Sequence, residues 1–238
     1  MHSDGSLTVK IFADGADKAS MLEMARHKDV KGLTTNPTLM RKAGVKDYRN
    51  FAKELLSDIK EKTISFEVFS DDFGDMERQA LEIASWGENA YVKIPITNTK
   101  GQSSAPLIKK LVAKKVKVNV TAIMTLEQVK TTSSSLNPNI PSYVSIFAGR
   151  IADTGRDPMV VVRDSVDILK SNPNAEIIWA STRELYNIIQ ADTVGCHIIT
   201  VTNDLIHKMS LFGYDLERFS LDTVRMFHKD ALDAEYEL

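Results

Sequence analysis

The feature that most constrains this chain is an alternation repeated from end to end. Short runs rich in β-branched and aromatic residues are each followed by a longer stretch whose apolar residues step by three and four. The strand candidates are Thr8–Asp14, Gly32–Thr35, Ile64–Ser70, Ala90–Ile96, Val116–Thr121, Tyr143–Gly149, Glu176–Ala180 and His197–Thr202. Between them, Tyr48, Phe51, Leu55 and Ile59, or Val162, Val166 and Leu169, fall on one side of a helix. Pro158 suits a first helical turn, and Asp71 or Asp72 can cap the helix that follows. Eight strand-helix units fit a closed barrel of about 250 residues, whereas a doubly wound open sheet uses five or six strands. The expected fold is therefore α/β, a (β/α)8 TIM barrel, with residues 1–238 as a single domain that carries a C-terminal helix from about 217. Thr131–Pro141, rich in Ser, Asn and Pro, reads as one long connection.

Charge excludes some partners. Thirty Lys and Arg oppose 32 Asp and Glu, a net charge of -2, so no general field favours nucleic acid or a membrane surface, and any anion needs a local site. Cys196, the one cysteine, lies in an apolar run and packs as a small hydrophobe, which fits a reducing compartment. No apolar stretch approaches the roughly 20 residues that cross a bilayer, and Met1-His2-Ser3-Asp4-Gly5 lacks the apolar segment of a secretory signal. A cytoplasmic protein is expected. His197 reads as a core residue and His27, His207 and His228 as helix-face residues, with no metal-ligand spacing; a Gly-rich phosphate loop is also absent. No metal and no cofactor is implied. Ser103-Ser104 before Pro106 reads as a helix cap, and Met226 and Phe227 as core or subunit contacts, consistent with an expected homo-oligomer.

A parallel barrel builds its site at the C-terminal strand ends. Here those ends carry Asp14, Thr35 with Asn36, Glu67, Lys93, Asn119 with Thr121, Ser145 with Phe147 and Arg150, and Ser181 with Arg183. Placing Asp, Glu and Lys inside apolar strands costs desolvation energy unless they meet partners.

Lys93, within Tyr91-Val92-Lys93-Ile94-Pro95-Ile96, is the sharpest member. Burial favours its neutral amine, a nucleophile toward ketones and aldehydes, and the resulting iminium is an electron sink for cleavage of a neighbouring carbon-carbon bond. Such chemistry needs proton donors and acceptors, and Glu67 and Asp14 can divide that work. The alternative is a lysine that snorkels out of the strand or merely pairs with Glu67. Arg150, Ser181 and Arg183 fall on adjacent late strands, where phosphate sites of this architecture sit, and Ser181-Thr182-Arg183 is expected to enter a helix N-terminus that offers backbone donors. Arg156, beside Asp157, reads as a solvated or paired arginine.

These residues resemble the transaldolases, in particular the short branch that includes the fructose-6-phosphate aldolases. The likeness runs along nearly the whole chain. Its most specific pieces are Gly32-Leu33-Thr34-Thr35-Asn36-Pro37-Thr38-Leu39 and Tyr91-Val92-Lys93-Ile94-Pro95-Ile96-Thr97, with Asp14, Glu67, Asn119-Val120-Thr121, Ser145–Arg150 and Ala180–Arg183 in the expected order. The resemblance implies that Lys93 forms a Schiff base with a ketose phosphate. Asp14 then takes the proton from the hydroxyl whose carbon leaves as an aldehyde, and an enamine of dihydroxyacetone remains for a second aldose phosphate. It further implies that Glu67 with Thr121 positions the water of imine formation and hydrolysis. Thr35, Asn36, Asn119, Ser145 and Phe147 would bind the donor fragment, and Arg150, Ser181 and Arg183 the phosphate.

Transaldolases carry Glu and Phe where the fructose-6-phosphate aldolases carry Gln and Tyr, and this chain has Glu67 and Phe147. That favours a transferase: a phenyl group cannot donate a hydrogen bond to the water that releases the free ketone. The rival readings are a lyase, either fructose-6-phosphate aldolase or another Schiff-base aldolase, and a non-catalytic phosphosugar-binding barrel. Phe69–Asp72 and Leu136–Asn139 depart from the family pattern and leave the acceptor sugar open.

Overall fold

Eight parallel strands pair in chain order, and the last closes on the first, in a computed structural model that describes residues 7–235. The expected segment Met1–Gly5 and the outer ends of the 1–238 range lie outside those residues. The strands are β1 (Lys10–Asp14), β2 (Val30–Thr34), β3 (Thr63–Glu67), β4 (Ala90–Pro95), β5 (Val118–Ile123), β6 (Ser142–Ile146), β7 (Ala175–Trp179) and β8 (Ile198–Thr202). This is the (β/α)8 TIM barrel that the alternation predicts. Asp17, Asp47, Asp72 and Asp157 stand just before helices and accept backbone N–H groups of the first turn, from Ser20, Asn50, Asp75 and Met159. Pro158 occupies the first turn of its helix, and Asp72, not Asp71, is the cap of the helix Phe73–Ala84.

The barrel interior is filled below its mouth. Phe12, Tyr91, Tyr143, Ile178 and Ile198 form one cluster, with Tyr91 and Tyr143 stacked at 4.2 Å and Phe12 edge-on to Tyr143 at 5.6 Å. Phe12 fits because Gly32 has no side chain: a Cβ there would lie 2.5 Å from the ring. The cluster forms a buried floor, and the polar side chains of the strand ends stand above it.

Several local expectations change. The run Tyr143–Gly149 leaves the sheet at Ile146, and Ala148–Ala152 is a short helix. Apolar continuity hid that boundary, which is set by a backbone turn at Phe147. The segment Thr131–Pro141 is not one connection, since Leu126–Ser133 is helical, opened by a reciprocal Thr125 and Gln128 capping box and ended at Ser134. Ser181–Arg183 does not enter a helix: the next one begins at Tyr186, and the N–H groups of Arg183 and Glu184 already donate to Asn187 Oδ1. Ser104 precedes its helix without a side-chain cap, while Ser103 Oγ accepts from Ala105 N. His197 sits half-buried just before β8 and accepts from Ile177 N, and His27 ends its helix as the C-cap. Arg156 donates to Thr154.

The chain divides into two compact units after Ile206. In the second, Asp215 caps the helix Leu216–Asp233, and the Tyr214 hydroxyl donates to Asp222. Among the described residues, no helix is long and apolar enough to cross a membrane. Cys196 is buried and unpaired, and burial pushes its thiol up to about 12.

Candidate active site

The mouth of the barrel holds a cavity of about 390 Å³. Asp14, Asn36, Glu67, Lys93, Thr121, Ser145, Phe147, Arg150, Ser181 and Arg183 all line it, so strand ends far apart in sequence converge as the barrel geometry requires. Thr35 and Asn119 lie behind that lining, both fully buried.

Lys93 reaches the cavity from β4 and is 7% exposed. Its Nζ donates to the Thr35 carbonyl at 2.8 Å and stands 3.4 Å from Glu67 Oε2. Thr35 therefore contributes its backbone to the site, while its hydroxyl donates to the Ser65 carbonyl. The Lys93 and Glu67 α-carbons are register partners on adjacent strands, which makes the approach of their side chains a product of the sheet itself.

Asp14, at the end of β1, accepts from the Thr34 hydroxyl at 2.8 Å and from Asn36 Nδ2 at 3.0 Å. Burial nevertheless raises its carboxyl above the usual range, against the opposing effects of Lys93, Thr34 and Asn36. Asn36 does double duty, because its Oδ1 also caps the helix Pro37–Lys42 by accepting from Leu39 N. Thr34 in turn lies 2.6 Å, hydroxyl to hydroxyl, from Thr200.

On the opposite side, Ser145 Oγ donates to Asn119 Oδ1 at 2.7 Å, and Asn119 Nδ2 donates to Ser65 Oγ at 3.0 Å. This buried relay holds the Ser145 hydroxyl at the cavity. Thr121 differs: its hydroxyl is buried and has no hydrogen-bond partner among the described residues, although it lines the cavity. A buried unpaired hydroxyl costs free energy that a bound water or substrate oxygen would recover. Next to it, Ala122 adopts φ 62° where the β5–β6 register shifts, a bulge beside the site.

The remaining corner is cationic. The Arg150 guanidinium lies 5.9 Å from the centre of the Phe147 ring. Arg183 donates from Nε at 3.1 Å and from Nη2 at 2.5 Å to the carboxylate of Asp153, which these bonds hold below the usual carboxylate range. Arg150, Ser181 and Arg183 thus share one end of the cavity with donors that suit an oxyanion. Asp153, three residues after Arg150, does not stand out in the sequence, where Asp157 is the acid adjacent to an arginine, Arg156. The hydroxyls of Thr34 and Thr200 look like those of ordinary strand formers until the barrel closes, and the Thr182 hydroxyl, which donates to the Thr200 carbonyl, carries no signal in the sequence. Among the described residues, no three His, Cys, Asp or Glu side chains gather as a metal site would require.

The family model described as transaldolase/fructose-6-phosphate aldolase matches residues 11–238. A protein of Thermoanaerobacter sp. (strain X514) named "Probable transaldolase" is 34% identical over 218 residues, covering 90% of this chain and 96% of its own. One of the same name from Dehalococcoides mccartyi is 32% identical over 202 residues, covering 84% and 90%. The crystal structure of KGPDC from Streptococcus mutans superposes with a TM-score of 0.58 over 84% of this chain and 89% of that one, at 12% identity, a likeness of fold alone. With its family model matched from β1 to the C-terminus and relatives above 30% identity along most of their length, the chain belongs to the transaldolase/fructose-6-phosphate aldolase family.

Proposed function

We propose that the protein is a transaldolase-type transferase that moves a dihydroxyacetone unit from a ketose phosphate, fructose 6-phosphate or sedoheptulose 7-phosphate, to an aldose phosphate. The observation that carries this reading is the placement of Lys93 Nζ at the cavity, 3.4 Å from Glu67, with the unpartnered Thr121 hydroxyl on the same lining. The Lys93 amine adds to the ketose carbonyl, and the carbinolamine loses water to give an iminium. Glu67 and Thr121 hold that water. Asp14 accepts the proton of the C4 hydroxyl, the C3–C4 bond breaks, the aldehyde leaves, and the electron pair passes to the iminium as an enamine. The enamine carbon then attacks the acceptor carbonyl, Asp14 returns its proton to the new alkoxide, and water hydrolyses the imine. The raised carboxyl of Asp14 suits a group that must take up and return a proton.

Asn36 and Ser145 bind donor hydroxyls directly in this reading, whereas Thr35 and Asn119 act from behind by holding Lys93 and Ser145. Phe147 packs against the donor chain and denies the enamine a hydrogen-bond donor. Arg150, Ser181 and Arg183 take the phosphate. The unpaired, buried Cys196 fits a cytoplasmic setting. Leu216, Phe219, Val224 and Phe227 are exposed on the helix Leu216–Asp233, which supports a homo-oligomer. Incubation with fructose 6-phosphate and erythrose 4-phosphate should yield sedoheptulose 7-phosphate and glyceraldehyde 3-phosphate. Steady release of glyceraldehyde 3-phosphate with no acceptor present would favour the lyase, and phosphosugar-dependent stabilisation without any product would favour a binding protein.

A further inference from the structure

Tyr48, an apolar helix position by its spacing, has a use at the site that the spacing does not reveal. Its hydroxyl donates to the backbone carbonyl of Glu67 at 3.1 Å. The reason this carbonyl needs a side-chain donor lies in the ladder. Thr34 pairs with Ser65, and Thr35 N donates to the Ser65 carbonyl as the last rung between β2 and β3. Two residues further along a parallel ladder, the group facing the Glu67 carbonyl would be the N–H of residue 37. The chain has left the sheet by that point, because Pro37 opens the helix Pro37–Lys42 and, as proline, has no N–H to give.

The peptide unit that joins Glu67 to Val68 is consequently held from two sides. Its carbonyl accepts from Tyr48, and its N–H, on Val68, donates to the Lys93 carbonyl at 3.2 Å. Glu67 is the final residue of β3, so without the first of these bonds it would be a strand end tied on one edge only. The phenol is itself fixed, its ring edge-on to Phe66, Phe69 and Trp86 at 6.1, 4.5 and 5.8 Å. Burial raises its ionisation well above the usual phenol range, so the hydroxyl remains a donor at any working pH.

We propose that Tyr48 is a positioning residue for the reaction, fixing the Glu67 backbone so that the carboxylate stands at its working distance from Lys93. This rests on the role of Glu67 in imine formation given above. Tyr48→Phe removes one oxygen and keeps the ring contacts. The ring also borders an outer cavity of about 430 Å³, from which water can solvate the freed carbonyl, so the variant folds but loses the fixed donor.

The test is a double-mutant cycle read as the rate at which borohydride traps the protein with fructose 6-phosphate. Tyr48→Phe should trap roughly five- to tenfold more slowly than the native chain, the effect of one well-placed hydrogen bond. In a Glu67→Ala background, where no carboxylate remains to be positioned, the same change should cost less than about twofold. The KM for fructose 6-phosphate should stay within about twofold, because the phosphate corner is untouched. Native trapping rates in Tyr48→Phe, or an equal fold-loss in both backgrounds, would overturn the assignment. A native chain that yields no adduct at all would remove the functional reading itself and the role of Tyr48 with it.

Discussion

A Cβ on Gly149 would lie 1.6 Å from the carbonyl oxygen of Ser181, so the short helix after β6 and the loop after β7 meet backbone to backbone. Ser181 holds φ 65° at that contact, a conformation non-glycine residues rarely adopt. The contact sets the spacing between Arg150, next to Gly149, and Arg183, two residues beyond Ser181. Gly149→Ala should therefore destabilise the protein by about 1–3 kcal/mol in urea unfolding and raise KM for phosphorylated sugars. Unchanged stability and KM would mean that the corner is set elsewhere.

Arg183 should carry phosphate recognition. A charge-assisted contact is worth roughly 1.5–3 kcal/mol, so Arg183→Ala should lower kcat/KM for phosphorylated acceptors by about one to two decades. With unphosphorylated glyceraldehyde the loss should nearly vanish. Both partners of the Arg183 and Asp153 pair are about half exposed, so little stability should be lost with it. Equal losses with both acceptors would assign Arg183 to the scaffold.

Asp14 predicts a pH dependence with a definite sign. Its carboxyl is raised above the ordinary 3.8, first by burial, so between 3.8 and the raised value the folded chain holds more protons than the unfolded one. Stability contributed by this group is present below that window and falls as pH climbs through it. Asp14→Asn removes the effect, so the Tm difference between variant and native chain should shift in favour of the variant as pH rises from acid to neutral. The acid limb of kcat/KM should lie above 3.8 in the native chain, and transfer should be lost in the variant. A Tm difference independent of pH would contradict the placement of this carboxyl.

Phe147 tests the choice of transferase over lyase. Phe147→Tyr adds one oxygen to a residue that lines the cavity, and should raise the release of free dihydroxyacetone relative to transfer onto erythrose 4-phosphate. The ratio on one preparation is the observable, since simple misfit would slow both reactions together. An unchanged ratio would leave the choice resting on Glu67.

What the sequence makes legible follows from which forces are local. All eight strands are readable because β-branched runs and helical steps are short-range patterns. The cluster of charges at the strand ends is readable because a barrel with a known site face turns strand ends into neighbours. Backbone roles are not. Thr35 and Asn36 attract attention as polar side chains, yet the Thr35 carbonyl is what holds Lys93. The end of β6 is hidden because Phe147, Ala148 and Gly149 continue an apolar run, and only the close approach to Ser181 shows why the chain must turn there. Tyr48 and Asp153 escape notice for the same reason, since their partners are 19 and 30 residues away and each pair meets only when one strand-helix unit packs against the next.

The most direct test of the central claim is mass spectrometry of the protein after borohydride treatment with fructose 6-phosphate. The account predicts a reduced three-carbon adduct on the Lys93 peptide, and none on Lys93→Met, which matches the side chain in length but cannot form an imine. An adduct on another lysine, Lys100 for instance, or an adduct that persists in Lys93→Met, would contradict it.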